Sequence, residues 1–206
     1  MAEFFRPTRY LTLVRFGLWE EILKEPSPSA GMPILRAVWH YARGMALAAT
    51  GKSAEAGAER DSVGAIAGSI PPDAYYSLNP ASAVLQFAEA HLAGEIAARG
   101  GKADDAIALL QKAVAKQDSL RYDEPPPWSL TARQALGAVL LSAGRAADAE
   151  AVYREDLLHF PEEGWSLYGL TQALRAQKKE TEAAEAEKRF RQAWGKSDVT
   201  LQASRY

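Results

Sequence analysis

The segment Gly51-Lys52-Ser53 has the ending of a phosphate-binding loop. In such a loop backbone N–H groups cradle the phosphates, the lysine reaches them and the hydroxyl holds magnesium. The first glycine of that loop would stand at position 46, where the chain has Ala46, and the residues before Gly51 follow helical rather than strand periodicity. The same turn recurs as Gly101-Lys102-Ala103 and Gly144-Arg145-Ala146, which lack the hydroxyl. A hairpin turn accounts for all three, and a nucleotide site is discarded.

Metal chemistry has one sharp candidate, a set of His40, His91 and Glu95, in which Glu95 follows His91 by one helical turn. The third histidine, His159, lies elsewhere, and no two histidines form the i, i+4 pair of helical zinc sites. A structural or solvated role is the default for each. The acidic pairs Glu20-Glu21, Asp104-Asp105, Asp123-Glu124 and Glu162-Glu163 are adjacent residues, which do not face one another on a helix. Several open helices, where the dipole favours negative charge. There is no cysteine and no G-x-S-x-G elbow, so no nucleophile is set up for catalysis. The reading is of a protein that is not an enzyme and needs no cofactor.

Composition narrows the partners. The 206 residues carry a net charge of −2 with no concentrated basic segment, which argues against nucleic acid. No apolar run approaches the roughly 20 residues of a membrane span, and MAEFFRPTRY lacks the form of a secretory leader. A soluble, cytoplasmic protein is expected, with a protein or peptide as its partner.

The elements that must position any site are helices. Alanine and leucine dominate the apolar residues, and both lose little freedom on a helix. Three stretches align, starting at Trp39, Ala88 and Ala132. In each, a glycine within the helical pattern (Gly44, Gly94, Gly137) precedes a second by seven residues (Gly51, Gly101, Gly144). A basic residue follows the second glycine, and an alanine stands five residues after it (Ala56, Ala106, Ala149). The first glycine predicts close helix approach; the second predicts the left-handed residue that ends a helix. A fourth unit opens at Trp165 with Gly169 and has Gln177 at the turn, and Gly17 marks a half-unit 34 residues before Gly51.

These features resemble the tetratricopeptide repeat (TPR) family, best at Leu136-Gly137, Ala149, Tyr153 and Pro161, then Trp165 and Gly169. Segments such as RFGLWEEIL, WHYARG and GWSLYGL look like the C-terminal half of longer bacterial repeat proteins of poorly defined function. The resemblance implies an all-α fold, a right-handed α-solenoid of antiparallel helical hairpins, forming one array over residues 1–206. The expected parts are a half-hairpin at 9–24, hairpins at about 33–68, 82–118, 130–160 and 162–195, and a tail at 197–206 laid across the last helix. Prolines place loops at 69–83 and 121–128; the run Pro125–Pro127 is expected to enter the next helix with Trp128 beside its first turn.

Solenoids of this kind bind along the concave surface made by the first helix of each hairpin. The resulting function is an interaction scaffold holding a peptide or helix of a partner. Its candidate groove residues are Tyr41, His91, Glu95, Arg99, Arg133, Gln134 and Trp128. The alternative is a small-ligand or metal-binding repeat protein whose loops 69–83 and 121–128 cover the groove. The open N-terminal half-hairpin also suggests self-association.

Overall fold

The computed structural model describes residues 6–124 and 126–206; Pro125, the first residue of the three-proline run, lies outside them. The chain divides into two compact units, Met1–Leu130 and Thr131–Tyr206. Both are built from antiparallel helical hairpins.

The first unit contains α1 (Pro7–Arg15), α2 (Trp19–Lys24), α3 (Pro33–Ala49), α4 (Ser53–Ser69), α5 (Ala81–Arg99) and α6 (Ala103–Asp118). Between α4 and α5 the chain makes a minimal antiparallel ladder, β1 (Tyr75–Tyr76) with β2 (Asn79–Pro80). The second unit contains α7 (Ala132–Ser142), α8 (Ala146–His159), α9 (Gly164–Ala176) and α10 (Glu180–Trp194). Within the first unit α3 packs beside α5, and within the second α7 packs beside α9. Within each unit the first helices of successive hairpins therefore adjoin.

One helix ending is used five times. At Gly17, Gly51, Gly101 and Gly144 φ lies between +64° and +82°, the left-handed region that costs glycine nothing. Each time two backbone N–H groups turn back onto the closing turn: Gly51 to Ala48 and Lys52 to Leu47, then Gly144 to Leu141 and Arg145 to Leu140. The fifth instance is Lys178, at φ +59°. Lys178 bonds Arg175 and Lys179 bonds Leu174 in the same pattern.

That fifth turn corrects the register of the last hairpin. The left-handed residue is Lys178, not Gln177, so the residue equivalent to Gly137 is Thr171, 34 positions on, rather than Gly169. Lysine held there by the surrounding turn hides the repeat from a search for glycines.

The other glycines mark contact. A Cβ on Gly94 would fall 2.6 Å from Leu110, and one on Gly44 would fall 2.6 Å from Leu92 of the following hairpin. Tyr153 of α8 passes between Gly137 and Gly169, where a Cβ would sit 2.4 and 2.2 Å from its ring carbon Cζ. Gly169 thus serves packing against the preceding hairpin. Ala56, Ala106, Ala149 and Ala183 are all fully or nearly fully buried at the matching points of the second helices. Among the described residues no helix is long and apolar enough to cross a membrane.

Candidate functional site

Four residues occupy one register position, three before the contact site on the first helix of a hairpin: Tyr41, His91, Gln134 and Tyr168. All are polar or amphipathic. The first three are buried, and Tyr168 is half-buried. An open groove lined by these side chains is therefore not what the structure presents. In each unit a non-helical segment of the same chain lies over them.

In the first unit that segment is the strap after α6. Trp128, 2% exposed, sets its ring edge-on to Tyr41 at 4.8 Å and to Phe87 at 5.9 Å between centroids. Phe87 stacks on His91 at 5.8 Å. The Tyr41 hydroxyl lies 3.1 Å from His91 Nδ1. Burial, and then the negative charge of Glu95, raise the Tyr41 pKa far above the ordinary phenol value. One turn beyond His91, the buried Glu95 meets the Arg99 guanidinium at 3.3 Å, and Arg99 lies over the Trp19 ring at 5.5 Å. The guanidinium of Arg15 donates to the Ser129 carbonyl and ties the strap to α1.

Tyr41, His91, Glu95, Arg99 and Trp128 are thus brought together, but as a buried cluster. Trp128 is its roof. A lid of about this size is worth about 3–5 kcal/mol when truncated to alanine.

The two loops are also bound to each other. The Asn79 side chain accepts from the Arg121 N–H at 2.7 Å and donates to the Arg121 carbonyl at 3.1 Å. Leu78 N–H points to Asp123 Oδ2 at 3.4 Å. The amide of Asn79 mimics a strand partner for one residue of the strap.

His40 stands apart from His91. Its Nδ1 is 2.5 Å from Glu59 Oε2, and Arg43 holds the other oxygen of Glu59 at 2.9 Å. Burial pushes the Glu59 pKa up, but the His40 and Arg43 contacts outweigh it and the net direction is down. Among the described residues no group of three His, Asp or Glu side chains could hold a metal ion. The set His40, His91 and Glu95 does not converge, because His40 turns to Glu59 and His91 to Tyr41.

In the second unit Arg133 and Gln134 are buried around Asp156 of α8, itself fully buried. Ser166 Oγ donates to Asp156 Oδ2 at 2.5 Å, and Gln134 Nε2 lies 3.5 Å from the same oxygen and 3.4 Å from Ser166 Oγ. Burial raises the Asp156 pKa, against the lowering effect of the Ser166 bond, the Thr131 contact and the Arg133 charge.

The covering segment in this unit is the chain after α10. It does not rest on α10 alone. The Trp194 indole donates to the Val199 carbonyl at 2.6 Å and turns the backbone toward α7 and α9. Leu201 and Ser204 are then buried. Tyr168 donates to the Gln202 carbonyl at 3.4 Å. Ser204 Oγ donates to the Gln134 carbonyl at 2.8 Å and lies 2.6 Å from the Tyr153 hydroxyl. The Tyr206 ring meets Trp165 edge-on at 5.2 Å. Tyr153 belongs to α8 but reaches this side by passing between two glycines of α7 and α9. The segment therefore lies on the first-helix face.

Phe87, Asp156, Ser166, Tyr168 and Ser204 are not among the candidates that the sequence offers for the site. Tyr168 was findable, since it stands 34 residues after Gln134. Nothing local marks Ser204.

Two solved structures align with the chain over 97% of its length and 96% of theirs, at 19% identity. Both are of nearly identical TPR-like repeats from a Podosopora anserina protein described as a kinesin light chain, one of them carrying a single substitution. Their TM-scores are 0.54 and 0.55. The chain has a TPR-like helical-repeat fold. No protein-family model matches it, and no curated protein matches it. In this TPR-like chain the register position of Tyr41, His91, Gln134 and Tyr168 lies under the strap in the first unit and under the segment after α10 in the second.

Proposed function

We propose that the protein is an interaction scaffold whose first-helix faces hold an extended segment of a partner protein. It acts by binding and not by catalysis. One observation carries this reading: residues 199–206, without helix or strand, already lie on α7 and α9 as a bound peptide would. Tyr168 takes hold of a backbone carbonyl, which every peptide offers. Leu201 and Ser204 of this segment are buried, and such side-chain sites give selectivity. In the first unit Trp128 fills the corresponding place against Tyr41 and Phe87, so a partner there must first displace the strap.

Selection of peptides from a displayed random library on the immobilised full chain tests the reading. Ligands should emerge that slow amide hydrogen exchange in α7 and α9. Ligands that protect only the outer helices α8 and α10, or no ligands at all, would contradict it.

A further inference from the structure

We infer that the face of α7 and α9 selects a segment of the pattern aliphatic-x-x-Ser-x-aromatic, and that residues 201–206 are its intramolecular competitor. This rests on the peptide-holding reading above and adds the identity of the ligand and its regulation.

The pattern follows from three anchors. Leu201 is 5% exposed and supplies the apolar contact. Ser204, 2% exposed, meets a fixed acceptor and a fixed donor. Its single hydroxyl proton goes to the Gln134 carbonyl, so the hydroxyl of Tyr153 must donate to Ser204 Oγ. One small atom has to donate and accept at once, which among short side chains only a hydroxyl does. Alanine would leave the buried Tyr153 hydroxyl without this partner, and a carboxylate could not donate to the carbonyl. The third anchor is Tyr206, edge-on to Trp165. Gln202, between the anchors, is exposed and contributes its carbonyl alone.

The competitor role follows from how the segment is held. Its attachments are separate side-chain contacts, each worth about 1 kcal/mol net. Opening of such a segment is a low-energy local event compared with global unfolding. A partner carrying the same three anchors offers the contacts of Leu201, Ser204 and Tyr206 again.

Fluorescence polarisation with a labelled peptide of the sequence of residues 199–206, added to the full chain, tests this. Replacing the peptide's serine by alanine should weaken binding about tenfold, the loss of one buried hydrogen-bonding group. Ser204→Ala in the chain should have the opposite sign and strengthen binding of the serine peptide about tenfold, because the internal competitor is weakened. Equal affinity of the serine and alanine peptides overturns the selectivity, and an affinity unchanged by Ser204→Ala in the chain overturns the competition. If neither peptide binds while the displayed library still yields ligands on α7 and α9, this inference alone falls. If the library fails as well, the reading beneath it falls too.

Discussion

Tyr153 and Ser204 meet through their hydroxyls at 2.6 Å, although one belongs to a second helix and the other to the non-helical end of the chain. The contact exists because Gly137 and Gly169 open a gap for the Tyr153 ring. Any side chain at either glycine must move that ring. Gly137→Ala and Gly169→Ala should each destabilise the protein by about 1–3 kcal/mol through overpacking. Urea unfolding monitored by circular dichroism measures this. A loss under about 0.5 kcal/mol, the range of neutral surface changes, would contradict the placement of Tyr153.

Lys178 adopts φ +59° where the four other such turns use glycine. Lys178→Gly removes the Cβ strain of that conformation, set against greater backbone entropy in the unfolded chain. A net gain of about 0.5–1 kcal/mol is expected, read as a raised urea midpoint. Gly144→Ala, at φ +74°, should move stability in the other direction by about 1 kcal/mol. The opposite pair of signs would refute the corrected register of the last hairpin.

Glu150 and Asp156, both on α8, titrate in opposite senses. Burial pushes the Glu150 pKa up, but Lys179, Arg154 and Gln177 overcome it and bring it to about 2, below its ordinary 4.5. Its stabilising effect is full above the unfolded value and is lost as pH falls from 4.5 toward 2. Burial raises the Asp156 pKa above its ordinary 3.8. The contribution of protonated Asp156 is present below 3.8 and lost as pH rises through the raised folded value. Unfolding midpoints measured across the acid range should therefore fall less steeply toward low pH in Glu150→Gln than in the parent. Asp156→Asn should remove the decline on the upper side and steepen the fall toward acid. Parallel curves for parent and both variants would contradict the assignment.

Asn79 joins the two loops of the first unit through both atoms of its amide. Asn79→Ala leaves the Arg121 N–H and carbonyl without these bonds, at a cost of about 1–3 kcal/mol. Hydrogen exchange at the Arg121 amide should accelerate, along with that of residues around Trp128. Unchanged exchange at Arg121 would show that the loops are held by other contacts.

Much of the fold was legible because glycine marks positions where backbone geometry leaves little choice. Gly51, Gly101 and Gly144 do adopt the left-handed conformation, and Gly44, Gly94 and Gly137 do sit at close contacts. The last hairpin was misread because a lysine tolerates the left-handed turn while Gly169 answers a different contact. The candidate residues Tyr41, His91 and Gln134 fall on one register position, yet their burial was not foreseen. It is imposed by Trp128 and Ser204, which arrive from irregular segments, and helical periodicity carries no information on where such segments go.

Residues 199–206 lie along α7 and α9. A photoreactive phenylalanine derivative incorporated at position 206 of the full chain, irradiated and mapped by mass spectrometry, measures this. Internal crosslinks should fall on α9 around Trp165 and should diminish when a library-selected peptide is added. Crosslinks confined to α8 or α10, or a yield indifferent to saturating peptide, would contradict it.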